Sequence, residues 1–258
     1  MLFRWLRLRK IRRTPFPPAW RVFLDRTLDS WSKLTADEQE RLEEEIRLFI
    51  AERNWEGCGG LDLTDEMQLI VAAEACRLLL GRPGERFRFT STILVYPNGY
   101  FSGPSPVPVL GGGTVRVVDP VGTPVLGQAY ERGPVILSWQ HALDGATRHE
   151  DGHNVILHEF AHKLDMANGA TDGMPPMDSA AQAREWHLVM TEAYEKLGRC
   201  LRTGLPTPLR PYALTNPAEF FAVSTEIFFE RPERLDDWDP DLYRVLATWY
   251  RQDPKARA

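Results

Sequence analysis

The stretch Asn154–Gly169, NVILHEFAHKLDMANG, decides how this chain is read. Val155, Ile156, Phe160 and Leu164 recur at helical spacing and make one apolar face. His158 and His162 stand four residues apart, so their imidazoles project from the same side of the predicted helix. Two histidines one turn apart suit a single zinc ion at about 2.0–2.1 Å. Glu159 lies between them in sequence but points sideways, where a carboxylate reaches a water on the ion rather than the ion itself; that is the placement of a general base. Asp165 follows on the histidine stripe and is a candidate to accept the second N–H of a ligand imidazole. Asn168-Gly169 reads as a left-handed helix stop.

A catalytic zinc site needs a third protein ligand and one open position. The extended pattern with Gly three and His six residues past the second histidine is excluded, because Asp165 and Asn168 stand there. A carboxylate from a later helix is the alternative, and Asp178, Glu185, Glu192, Glu195, Glu219 and Glu226 are the candidates, with His187 as an outsider. Those from 178 to 195 sit on a polar-faced segment. TNPAEFFAVSTEIFFE, from Thr215 to Glu230, is otherwise strongly apolar, with Asn216 or Thr215 as cap and Pro217 at the first helical position. A carboxylate on a helix that wants burial needs a partner. Glu219 and Glu226 are seven apart and share a face. Glu219 as ligand with Glu226 supporting it is the preferred reading, although composition alone leaves the two nearly even.

Around this core the chain reads as α+β. Trp20, Phe23, Leu24, Leu28 and Trp31 have helical spacing; Thr35 with Glu38 is a capping box opening a helix to about Glu52; Thr64 caps a further helix, apolar nearly all round from Leu69 to Leu80, stopped by Gly81 and Pro83. TSTILVY (Thr90–Tyr96), TVRVVD (Thr114–Asp119) and GPVILSW (Gly133–Trp139) read as strands, and the Gly- and Pro-rich run from Pro97 to Gly113 as loop. Helices are expected over about 154–167, 179–198, 217–230 and 239–251. The basic start, residues 1–17, reads as an unstructured tail before a single domain over 18–258, with a helical part at 18–88 and a catalytic part at 89–258. Its arginines interrupt every apolar run, which argues against a signal peptide and a transmembrane helix. A weak contact with a membrane surface is the other reading of that segment. A net charge of −5 argues against direct nucleic-acid binding, and three cysteines without paired spacing suggest reduced thiols and a cytoplasmic protein.

The blocks ILVYP, GPVILSW, DGHNVILHEFAHKLDMANG, PYALTNPAEFFAVSTEIFFE and YRQDP make the chain resemble the Mlc titration factor A family of zinc metallopeptidases from about Pro18 to Pro254. The resemblance implies a zincin-like fold similar to the catalytic domain of anthrax lethal factor. It implies that the Glu of the Pro-Ala-Glu triplet, Glu219, is the third zinc ligand, and that Tyr212, seven residues earlier, stands near the metal, where a phenol stabilises an oxyanion. The Arg-rich start falls outside it, and His153 departs from the bulky residue the family tends to carry there.

The expected activity is zinc-dependent peptide hydrolysis: His158, His162 and Glu219 hold Zn2+, Glu159 takes the proton of the attacking water, and Tyr212 supports the oxyanion. The resemblance implies aminopeptidase-like action on short peptides. It also implies a second role, binding of a Mlc-like transcriptional repressor, for which zinc would be structural or vestigial. Val135–Trp139 is the candidate edge strand that takes up an extended peptide.

Overall fold

The structure is a computed structural model that describes residues 2–87, 89–101, 106–109, 113–116, 124–125, 127–130, 133–148 and 151–257. The basic start is not a loose tail. Leu2–Arg13 is a helix, α1, laid on a later one. α2 (Pro18–Thr27) and α3 (Asp29–Ser32) follow and bury Leu24, Leu28 and Trp31. α4 (Ala36–Glu52) opens on the expected capping box: Glu38 N–H donates to Thr35 Oγ1 at 3.3 Å, and Thr35 N–H to Glu38 Oε2 at 2.9 Å. Arg47 on α4 donates to the Ile11 carbonyl at 2.7 Å and Glu44 pairs with Arg12 at 3.0 Å, so carbonyl capping and charge hold α1 in place.

β1 (Asn54–Gly57) leads to α5 (Asp65–Arg77), capped by Thr64. α5 ends three residues earlier than its apolar run suggests. Leu78–Gly81 form a turn beneath the C-terminal helix, and a Cβ on Gly81 would lie 2.3 Å from the carbonyl oxygens of Tyr250 and Arg251. β2 (Thr92–Tyr96) follows. The run from Pro97 to Gly113, expected as loop, contributes short strands: β3 (Tyr100–Phe101), β4 (Pro106–Val109) and the start of β5 (Gly113–Arg116). β4 pairs with β5 as an antiparallel hairpin, and β3 pairs with β6 (Pro124–Val125). Alternation is too short there to register as a strand pattern. The rest of the expected strand, 117–119, lies outside the described residues, as does most of the triple-glycine run.

β7 (Gly127–Ala129) and β8 (Val135–Ser138) complete the main sheet, whose order is β1-β2-β8-β7. β1, β2 and β8 are parallel, and β7 runs antiparallel to β8. β8 is therefore interior and buried along its length, which corrects the expectation that it is the edge; among the described residues β7 is the edge. A helix absent from the sequence reading, α6 (Trp139–Thr147), leaves β8 directly. Its Gly145 lets the backbone of His153 and Asn154 approach to 2.8 Å of where a Cβ would stand.

α7 (Val155–Asp165) is buried from Ile156 onward. It ends in a short 3-10 turn with Gly169 at φ 89°, the expected left-handed stop. α8 (Ala180–Thr203), α9 (Pro217–Glu230), α10 (Pro232–Trp238) and α11 (Pro240–Tyr250) close the chain. α9 crosses α7 on the side away from the sheet, with Phe220, Phe221 and Phe228 in the core. The outcome is a mostly helical α+β arrangement in which α7 lies between a small mixed sheet and α9.

A candidate metal centre on two crossed helices

Asn154 begins α7 by accepting the Ile156 and Leu157 N–H groups at 3.1 Å each. One turn later, His158 and His162 face α9. Asn216 caps α9 by accepting the Glu219 N–H at 2.9 Å, which puts Glu219 in the first turn, at the end that meets the histidines. His158 Nε2 is 3.0 Å from Glu219 Oε2, His162 Nε2 is 3.3 Å from it, and the two Nε2 atoms are 3.2 Å apart. An ion with tetrahedral bonds of 2.0–2.1 Å has ligand atoms about 3.3 Å apart. The triangle has that edge, and its three atoms could hold a metal ion. Glu219 Oε2 is buried with only the two imidazole nitrogens before it, the position a third ligand atom would take. The residues fit the group.

Glu226, fully buried one heptad along α9, does the supporting. Its Oε1 accepts His158 Nδ1–H at 2.7 Å and Arg210 Nη2–H at 2.6 Å, and its Oε2 accepts the Asn154 backbone N–H at 2.8 Å. In the neutral imidazole that could ligate a metal, a carboxylate on Nδ1 would keep the proton there and leave the Nε2 lone pair toward Glu219 and His162. Burial opposes a charged imidazole, but Glu226 and the hydrogen bonds to Glu219 and Glu226 outweigh it and raise His158 to about 10 in the metal-free site. The role imagined for Asp165 is not seen. It is buried and accepts the Gly173 N–H at 3.0 Å, while His162 Nδ1 has no partner. The loop before α8 takes that carboxylate, not the imidazole.

Glu159 is buried beside the triangle. Burial raises it to about 8, with the charges of Glu219 and Glu226 acting in the same direction and His158 against them. A cation among those ligands would reverse the local field and favour the carboxylate. The edge strand comes up against it: a Cβ on Gly127 would stand 2.5 Å from Glu159 Oε1 and 2.7 Å from its Cγ. Lys163, one turn after Glu159, donates to the carbonyls of Tyr130 at 2.5 Å and Gly133 at 3.3 Å, tying the β7–β8 turn to α7. Gly127→Ala should therefore leave the fold intact, since β7 is a short edge, yet displace Glu159. Circular dichroism and metal content are expected to match the wild type, with peptide hydrolysis about 10²-fold lower. Unchanged hydrolysis would show that the close approach has no bearing on the site.

Tyr212 stands on a 3-10 turn, Pro211–Leu214, half-exposed, with its ring 6.1 Å from that of His158. Burial and its hydrogen bond to Glu219 both push the phenol pKa up, so it stays a donor. The other candidates lie elsewhere. Asp178 pairs with Arg82 and Arg251, Glu185 with Arg244, and Glu192, Glu195 and His187 are exposed on α8. The sequence reading missed Glu74, a buried acid on apolar α5. Glu74 accepts from Ser30 Oγ at 2.8 Å, Arg77 at 2.6 Å and Asn154 Nδ2 at 3.0 Å, anchoring the cap of α7 to the N-terminal helices. Its signal was the one that singled out Glu219 and Glu226, a lone charge in an apolar helix. Arg210 and Gly127 carried no signal in one sequence.

A helix with two histidines one turn apart and a carboxylate from a crossing helix make a donor set of the metallopeptidase class. The chain belongs to the family described as glucose-regulated metallo-peptidase M90, which it matches over residues 2–251. The match takes in the Arg-rich start, which the resemblance had left out. The chain is 36% identical over 253 residues to the uncharacterized protein slr2042 of Synechocystis sp., covering 97% of this chain and 90% of that one. It is 40% identical over 136 residues to Mlc titration factor A of Yersinia enterocolitica, covering 51% of this chain and 49% of that one. It is 39% identical over 135 residues to Mlc titration factor A of Yersinia pestis, covering 51% and 48%. The alignments to the titration factors thus span about half of each chain. Among the described residues no helix is long and apolar enough to cross a membrane.

Proposed function

We propose that this protein is a zinc peptidase of zincin-like design, acting on short peptides in an aminopeptidase-like manner in the cytoplasm. The observation that carries the reading is the triangle of His158 Nε2, His162 Nε2 and Glu219 Oε2, with buried Glu159 at its side. When bound there, a zinc ion supplies the Lewis acidity that brings a water's pKa to about 7. Nitrogen and carboxylate donors favour zinc over a hard cation, which takes oxygen alone. Glu159 takes the proton of the attacking water on its carboxylate and returns it to the leaving amine. The Tyr212 hydroxyl, held as a donor, turns from Glu219 to the oxyanion of the tetrahedral intermediate. Glu226 keeps the His158 proton on Nδ1 throughout. β7, the edge beside Glu159, offers backbone groups to an extended peptide. Three unpaired cysteines support a reducing compartment.

A second reading rests on the relatives named Mlc titration factor A: binding of a Mlc-like repressor, alongside or in place of hydrolysis. A general base poised beside the donor set supports hydrolysis, since a purely structural site has no use for one.

The test is metal content and hydrolysis of a panel of aminoacyl and peptide substrates, for wild type and Glu219→Ala. Wild type is expected to hold about one zinc per chain, to lose activity on chelation and to regain it with zinc, while the variant holds none. Because His158 is protonated in the metal-free site, loading at pH 7 should release protons, read by calorimetry in two buffers of different ionisation enthalpy. A wild type that cannot be loaded sinks the reading. One that loads but cleaves nothing favours repressor binding.

A further inference from the structure

A second concavity lies behind the metal helix, on the opposite face from the histidines. It is a cavity of about 220 Å³ between α4, α5 and the turn that follows α5, with the exposed Pro83–Glu85 turn on its rim of lining residues. Its apolar wall is made of Leu48, Phe49, Cys76, Leu79, Leu80 and Phe87. Leu48 is buried yet stands apart from the main core cluster; the cavity is what it faces.

The charges around the cavity favour an uncharged occupant. Four arginines and four glutamates line it, which leaves no net charge to attract an ion. Three of the four arginines are held by groups around the cavity, although the Nε of Arg53 is buried without a hydrogen-bond partner. Arg53 lies 3.7 Å over the Phe49 ring and donates to the Phe49 and Phe87 carbonyls, Arg82 is held by Glu85 and Asp178, and Arg86 bridges Glu45 and Glu52. An anion entering would meet committed guanidinium groups and nearby carboxylates. An apolar cavity of about 150 Å³ takes up benzene, so this one has room for a bicyclic ring.

The back wall reaches the metal helix. Phe49 and Phe87 both contact Phe160, with ring centroids at 5.5 Å and 4.8 Å, and each other at 6.1 Å. Phe160 immediately follows Glu159 and lies two residues from each histidine. An occupant pressing on Phe49 and Phe87 therefore acts on a core side chain of the donor-bearing turn of α7. Tightly packed interiors pass such displacements on rather than absorb them.

The geometry points to an effector site: the cavity binds a compact, uncharged, apolar molecule about the size of a bicyclic aromatic, and its occupancy is transmitted through Phe49, Phe87 and Phe160 to the metal-binding turn. The transmission rests on the proposed metal site; the binding does not. Indole is the probe, and Cys76→Leu and Leu79→Phe are two independent variants that fill the cavity. At ten times its dissociation constant, indole is expected to raise the wild-type Tm by about 3–5 °C and to shift zinc affinity, measured against a chromophoric chelator, by about fivefold or more. Both effects should vanish in whichever filled variant folds. No Tm shift in the wild type, or an equal shift in the filled variants, overturns the site. A cavity-specific Tm shift with unchanged zinc affinity overturns the transmission. If the protein takes up no zinc at all, the metal reading fails, while the Tm comparison still decides the cavity.

Discussion

Replacing Glu226 by alanine is expected to destabilise the protein by about 3–5 kcal/mol and to weaken metal binding by about 10- to 100-fold, although this residue is not one of the three candidate donors. Its carboxylate is buried and accepts from three donors on two segments: His158 Nδ1 and the Asn154 backbone N–H of α7 and its cap, and Arg210 Nη2. Truncation leaves a guanidinium, an imidazole and the cap of α7 without their acceptor in a site that water cannot fully serve. The stability loss comes from those orphaned donors, not from a lost pair energy. The affinity loss has a different origin: without an acceptor on Nδ1, the imidazole proton can move to Nε2 and block the ligand atom. Urea denaturation reads the first and a zinc titration the second. Glu226→Gln separates them, because an amide preserves shape and one acceptor while removing charge; it should keep most of the stability yet still bind zinc more weakly. A Glu226→Ala protein with wild-type stability and affinity would show that the buried cluster is not what holds His158.

The second large effect is expected at Glu159. Glu159→Ala should lower kcat on any cleaved peptide by about 10²- to 10⁴-fold, with about one zinc per chain retained. The carboxylate lies beside the ligand triangle without belonging to it, so its removal costs proton transfer and leaves the donor set whole. Stability should not fall, and in the metal-free protein it should rise near neutral pH. The folded-state pKa of Glu159 is raised to about 8 by burial and by two neighbouring carboxylates. A carboxyl with a raised folded pKa stabilises the fold below its unfolded pKa, near 4.3, and that contribution is lost as pH rises through the folded value. Within that window the folded wild type must keep a proton that its unfolded chain has released, and above it must carry a buried charge; the alanine variant does neither. Metal assays and kinetics on the two proteins decide the matter; a variant that keeps its kcat removes Glu159 from the chemistry.

Both predictions concern residues that differ in how visible they were in the chain. His158, Glu159 and His162 were legible because four-residue spacing on a helix is a local rule, and α7 carries its own apolar face, cap and stop. The capping box at Thr35 and Pro217 at the head of α9 were legible for the same reason, since each is settled within four residues. Glu219 and Glu226 could be picked out as acids stranded on an apolar helix, but not told apart. Their separate tasks appear only when α9 crosses α7, placing the first turn of α9 at the Nε2 atoms and the second heptad at Nδ1. The order of the sheet was beyond reach for a like reason. β8 and β7 are both short, and which is the edge depends on the antiparallel return of β7 and not on the composition of either. Gly127, Arg210 and Glu74 matter through contacts with segments about 15 to 80 residues away. The sequence by itself determined the helix that carries the donors and the residue types that can serve a metal. Only the tertiary structure decided which carboxylate faces the two Nε2 atoms, which one holds the imidazole and which strand meets Glu159, because those assignments depend on distances between elements that no local pattern encodes.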